Sequence, residues 1–330
     1  MKTFVVGSGT WGTALANVLA DNGHEVRIYG RSQQQVDDIN ENHRNSRYFG
    51  DVEFNHQLTA TCDLSEVGNY DIVLLAVPSS SAKGVLEQVN NYIKKPVILI
   101  NVSKGFDPDT FERLSVSLSR CLDKDKLKGY AALLGPSHAE EVIRRMYTTV
   151  NIVCEDKDIA CTLQKMFANE YFRVYRNDDM IGAEYGTGLK NVIAIASGIL
   201  YGLGLGDNAK ASLMTRGLAE MTRFGTMMGG RLETFMGLCG MGDLIVTCTS
   251  PHSRNWQAGY QIGKDDSVED FYRTNKSTVE GIAACRIIYT QAKQLGISMP
   301  ITSELYNVLF EGGTPSKAIT RLMTRELKAE

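Results

Sequence analysis

No stretch of the 330 residues approaches the ~20 consecutive apolar residues needed to cross a bilayer, so no integral membrane segment is expected. There is no C-x-x-C. The seven cysteines (Cys62, Cys121, Cys154, Cys161, Cys239, Cys248 and Cys285) are scattered and odd in number. That argues against a disulfide frame or a zinc site and predicts reduced thiols in a cytoplasm. No cluster of His, Asp and Cys has ligand spacing, so no metal is expected. Internal repeats and low-complexity segments are absent. So is any excess of one charge: the net value is −3, which predicts no strong field for nucleic acid or membrane. The first residues read at once as a strand, so no signal peptide is expected. What remains is 43% hydrophobic and 22% charged, an ordinary globular composition long enough for two domains with their own cores.

The most informative segment is Val5 to Ala14, VVGSGTWGTA. A buried strand runs into Gly7-Ser8-Gly9-Thr10-Trp11-Gly12, and an apolar helix follows. This G-x-G-x-x-G turn lays a pyrophosphate on a helix N-terminus. Gly7 allows the tight turn, Gly9 lets backbone approach the phosphates, and Gly12 lets helix pack on strand. The motif alone is weak; the strand before it and the helix after it strengthen it. The second strand, His24 to Tyr29, lacks the Asp or Glu that NAD-binding versions use on the ribose 2′-hydroxyl. Arg31 occupies that region, and a guanidinium suits a 2′-phosphate. The expected cofactor is NADP(H) or NAD(H), with NADP(H) favoured.

The first half then alternates. Apolar runs 71–77, 97–102 and 130–134 read as buried strands, 148–154 and 171–175 as later ones, with helices over 33–42, 79–92 and 159–168. Beyond Asp178 strand signals vanish. Helical patterns cover 178–204, 210–228, 279–295 and 301–311, and 264–270 is a charged surface excursion. The expected fold class is α/β: an N-terminal Rossmann-type, doubly wound, mostly parallel sheet over 1–177, plus a C-terminal all-helical domain over 178–330. Ligands of such sheets lie beyond the carboxyl ends of the strands, which predicts a crevice shared by the glycine loop, Val77-Pro78, Lys104 and Gly135-Pro136-Ser137.

Four side chains suggest chemistry. Lys190 interrupts an apolar helix, where a charge is costly unless used or paired, although a lysine can also snorkel to the surface. Lys104 stands at a strand end. Asp243, between glycines and an apolar run, could fix an ammonium or cap a helix. Arg254, within Ser253-Arg254-Asn255, could hold a phosphate or sit in a polar surface turn.

Together these segments carry a resemblance. GSGTWGTALA (7–16), NVSKGF (101–106), LLGPSHAEEV (133–142), GLKNVIAIASGI (188–199), GMGDLIVTCTS (240–250), SRN (253–255) and VEG (279–281) resemble the bacterial NAD(P)-dependent glycerol-3-phosphate dehydrogenases, in order and from end to end. The resemblance implies reversible reduction of dihydroxyacetone phosphate to sn-glycerol 3-phosphate, for glycerophospholipid synthesis, in a cleft between the domains. It implies that Lys190 is the proton donor and acceptor, that Lys104 contacts substrate and cofactor, and that Asp243 orients the lysines. Cofactor contacts would be Gly7, Gly9, Thr10, Trp11, Gly12, Arg31, Tyr48, Lys104, Ala139, Arg254, Thr278 and Glu280. Substrate contacts would be Lys104, Gly135, Ser137, Lys190, Asn191, Asp243, Ser253, Arg254 and Asn255. Thr10 stands where serine is commoner, and Thr278 where an aliphatic residue is usual. A homodimer is expected from the apolar helical domain. A β-hydroxyacid dehydrogenase of similar layout and a non-catalytic NAD(P)-sensing protein are the alternatives.

Overall fold

The computed structural model describes residues 1–275, 278–327 and 329. It divides into two units, Met1–Met180 and Ile181–Glu330.

The first unit is built on one sheet of eight strands: β1 (Thr3–Val6), β2 (Val26–Tyr29), β3 (Thr59–Thr61), β4 (Ile72–Leu75), β5 (Val97–Asn101), β6 (Leu127–Leu134), β7 (Thr148–Val153) and β8 (Phe172–Asn177). Their order is β3-β2-β1-β4-β5-β6-β7-β8. Every pairing is parallel except β6 with β7. The expected mostly parallel sheet is therefore present, with one antiparallel join and a short strand, β3, that no sequence signal announced. The continuous apolar runs have a plain cause. Val5, Leu74 and Ile100 enter one hydrophobic core, while Phe4, Val6, Val73, Leu75 and Leu99 enter a second one on the opposite face. A strand covered on both sides has no position left for a polar residue.

Among the described residues of the second unit, the regular elements are all helices. Its first helix, Met180–Gly202, is apolar nearly all round, as a helix inside a bundle must be. No helix of the described chain is long and apolar enough to cross a membrane. The helix Asp207–Met227 carries Glu220, which is 2% exposed. Its carboxylate accepts from the backbone nitrogens of Ile301 (2.6 Å) and Thr302 (3.2 Å), capping the helix Pro300–Phe310. Burial pushes its pKa up from 4.5 to about 6 despite those bonds. A pKa raised in the folded state means that the unfolded chain binds fewer protons between those values, so stability falls as pH rises from 4.5 through 6. Glu220→Gln is expected to remove that part of the slope, about 2 kcal/mol in urea melts compared at pH 4.5 and pH 7.

Candidate active site

In the first unit the glycine loop behaves as its spacing predicts. Gly7 has φ +120, a conformation L side chains rarely adopt, and a Cβ there would run into the Ala76 carbonyl. At Gly12 a Cβ would strike the Gly7 carbonyl, so the helix Thr10–Asp21 sits directly on the turn. Gly9 is different: nothing lies within 4 Å of where its Cβ would be. It is the N-cap of that helix and offers no side-chain cap, and no acidic residue stands in the first turn. Open space before uncapped N–H groups, with no competing carboxylate, fits a pyrophosphate. Thr10 and Trp11 form the first turn. Arg31 lies exposed beyond the end of β2. Tyr48 is exposed in the short helix Ser46–Phe49, with the Arg47 guanidinium 5.5 Å from its ring centre.

The neighbouring strand ends converge as the topology requires. β1, β4, β5 and β6 lie side by side and parallel, so Gly7, Ala76, Ser103 and Gly135 emerge at one edge. Lys104 Nζ donates to the Gly135 carbonyl at 2.9 Å, and Ser137 Oγ donates to the same oxygen at 3.0 Å. Ala139 starts the short helix Ala139–Val142 and is buried. Lys104, Gly135 and Ser137 thus form one cluster.

In the second unit, Lys190 lies midway along Met180–Gly202. It does not snorkel: its side chain is 6% exposed. Nζ donates to Asp243 Oδ1 at 3.2 Å and to Thr247 Oγ1 at 2.7 Å. Asp243 is 1% exposed. It starts the helix Asp243–Thr249, where residues four apart share a face, and that periodicity sets Thr247 beside it. Thr247 gives its own proton to the Asp243 carbonyl at 2.6 Å, which leaves its oxygen to accept from the lysine. The setting is dry: burial pushes the nearby Cys248 thiol up to about 12, although Lys190 pulls the other way. A desolvated ammonium held by a carboxylate and a hydroxyl can deliver a proton, or stabilise an oxyanion, at one fixed place. Thr247 was missed in the sequence, where its only signal is its position four residues after Asp243.

Asn191 and Asn255 are joined, with Asn255 Nδ2 donating to Asn191 Oδ1 at 3.0 Å and Asn255 Oδ1 accepting from Gly281 N at 2.8 Å. Asn191 Nδ2 is buried and bonded to none of the described residues. Two helices run almost backbone to backbone to make this possible. At Gly198 and Gly202 a Cβ would strike Trp256 and Tyr260 carbonyls, and at Gly259 and Gly263 the Ile195 and Ile199 carbonyls. Ser253 is the N-cap of the helix Arg254–Asp265, its hydroxyl accepting from Trp256 N at 3.3 Å. Arg254 is exposed beside a cavity of about 140 Å³ shared with Gln257, Gln261 and Asn275. Thr278 is exposed, and Glu280 starts the helix Glu280–Leu295 beside Gly281. No three His, Cys, Asp or Glu side chains of the described residues form a metal-binding group.

Residues 2–160 match the NAD-dependent glycerol-3-phosphate dehydrogenase N-terminus family, and residues 179–320 its C-terminus counterpart. The chain is 47% identical over 327 residues to a glycerol-3-phosphate dehydrogenase [NAD(P)+] of Exiguobacterium sp., covering 99% of this chain and 96% of that one. It is 46% identical over 327 residues to the protein of the same name from Macrococcus caseolyticus, covering 99% and 98%. The crystal structure of glycerol-3-phosphate dehydrogenase from Coxiella burnetii superposes with a TM-score of 0.90 at 34% identity, covering 98% of this chain and 99% of that one.

Proposed function

The chain belongs to the NAD-dependent glycerol-3-phosphate dehydrogenase family, and from that premise we propose a role for each residue of the site. The enzyme is an NAD(P)-dependent oxidoreductase that reduces dihydroxyacetone phosphate to sn-glycerol 3-phosphate, reversibly. The hydroxyacid and sensor alternatives are not favoured.

The observation that carries the assignment of roles is the buried Lys190–Asp243–Thr247 cluster. Lys190 Nζ gives a proton to the C2 oxygen of the ketone as it becomes an alkoxide, and takes it back in the reverse direction. Asp243 and Thr247 hold Nζ in place, so little reorganisation accompanies the transfer. Asn191, next to Lys190 in the chain, offers the substrate an amide nitrogen that bonds to none of the described residues, and Asn255 holds that amide's oxygen. Arg254 anchors the substrate phosphate with Ser253 and Asn255, a remote contact that keeps C2 positioned. Lys104, fixed on Gly135 with Ser137, contacts substrate and cofactor. The nicotinamide, when bound, supplies the hydride. Gly7, Gly9, Thr10, Trp11 and Gly12 hold its pyrophosphate, and Tyr48, Ala139, Thr278 and Glu280 complete the nucleotide contacts.

NADP(H) is the preferred form, through Arg31 beyond β2. The test is oxidation at 340 nm with dihydroxyacetone phosphate, run with NADPH and NADH side by side. Arg31→Ala is expected to raise the KM for NADPH about tenfold or more, with NADH changed less than about twofold. Equal effects on both cofactors would remove Arg31 from 2′-phosphate recognition. A cytoplasmic location suits seven free cysteines. No nucleic-acid partner suits a net charge of −3. The exposed Tyr201, Met227 and Leu232 of the helical unit suit a homodimer contact.

A further inference from the structure

We propose that Asn45 and Gln35 are positioning residues for the nucleotide: they hold the Ser8–Gly9 peptide so that the Gly9 N–H faces the pyrophosphate. The inference rests on the reading of the glycine loop as the nucleotide site and adds two residues outside it. Asn45 is fully buried and Gln35 8% exposed. Asn45 Nδ2 donates to the Ser8 carbonyl at 3.1 Å and to Thr13 Oγ1 at 2.9 Å. Gln35 Nε2 donates to the same Ser8 carbonyl at 2.6 Å and to Asn45 Oδ1 at 2.9 Å. Ser8 Oγ closes the ring by donating to Gln35 Oε1 at 2.8 Å.

The chemistry fixes the sense of every bond. A carbonyl oxygen only accepts, so both amides must turn their nitrogens to Ser8. In a planar trans peptide the carbonyl and the following N–H point in opposite directions. No peptide among the described residues is cis. With the Ser8 carbonyl drawn toward Gln35 and Asn45, the Gly9 N–H is turned away from them. No described protein acceptor meets it, and the space beside Gly9 is open. The neighbouring backbone is also locked, since a Cβ on Gly30 would lie 2.6 Å from Ser8 Oγ. Two buried side-chain amides spent on one loop carbonyl are a costly arrangement unless that peptide's orientation matters.

Asn45→Asp keeps shape and puts an oxygen where the donor was, against the Ser8 carbonyl. Gln35→Leu removes the other donor with a milder change and serves if the first variant fails to fold. NADPH binding to wild type and variants is measured by energy transfer from tryptophan to the reduced nicotinamide. Adenosine 2′-monophosphate, which lacks the pyrophosphate, is measured in parallel by competition, and Tm is recorded. The expected result is an NADPH Kd weakened about tenfold by Gln35→Leu and further by Asn45→Asp, with adenosine 2′-monophosphate changed less than about twofold. Unchanged NADPH affinity in a folded variant would overturn the proposal. So would equal weakening of both ligands, the mark of general loosening. Wild-type protein that binds no NADPH would instead overturn the glycine-loop reading itself, and this inference with it.

Discussion

Lys190→Ala is expected to lower kcat for dihydroxyacetone phosphate reduction by about 10³- to 10⁴-fold while leaving the NADPH Kd within about twofold. The size follows from two losses at one atom. On the proposed assignment, the variant lacks the acid that protonates the ketone oxygen and loses one of the cations that meet the alkoxide as charge develops there. Both contributions exist only in the transition state, so kcat and kcat/KM should fall together. The proposed pyrophosphate contacts, Gly7 to Gly12, lie in the first unit, and Lys190 is not among the proposed nucleotide contacts. Steady-state kinetics at 340 nm beside fluorescence titration of NADPH measure the two quantities separately. A folded variant keeping more than about a tenth of wild-type turnover would exclude Lys190 as the proton donor.

Asp243→Ala should cost about 3–5 kcal/mol of stability as well as turnover. Asp243 is the partner of a cation 6% exposed, and removing it takes the paired carboxylate from an ammonium in a dry site. A second comparison separates stability from function. Replacing both partners, Lys190→Met with Asp243→Leu, removes the stranded charge. Such exchanges are often neutral or stabilising, so the double variant should melt near or above wild type and remain inactive. Urea denaturation with parallel activity measurements would show it. A double variant less stable than Asp243→Ala would mean that the pair holds the helices together rather than serving the chemistry.

The parts of the molecule legible in the sequence are those where one physical demand dominates. A strand buried on both faces admits only apolar residues, so β4 and β5 stood out. Lys190 stood out because a charge in an apolar helix is costly unless used or paired, although snorkelling was open to it, and its link to Asp243 was implied by the family resemblance, Asp243 alone reading equally as a helix cap. Where several residues could meet the same demand, the reading ran out. β3 is three residues long and pairs only with β2, too short for periodicity to register. The antiparallel direction of β7 is set by how the chain returns from β6, and strand composition does not encode it. Thr247 looked like one more residue of an apolar run. Gln35 and Asn45 sit in a polar stretch resembling a solvated surface, and their inward turn depends on Ser8, more than 25 positions away. Ser253, taken for a phosphate ligand, spends its hydroxyl as an acceptor on its own helix; in that geometry its proton can still be given outward.

The crossing of Met180–Gly202 with Arg254–Asp265 has a mechanical consequence. Glycines on both helices bring the backbones together, leaving no flexible side-chain layer that could shear between them. Lys190-Asn191 and Ser253-Arg254-Asn255 are therefore mounted on a single stiff girder. Whatever breathing accompanies turnover, the proposed acid and the proposed phosphate anchor move as one piece. The distance between a ligand's reacting oxygen and its phosphate becomes a fixed ruler, measuring chain length as well as charge.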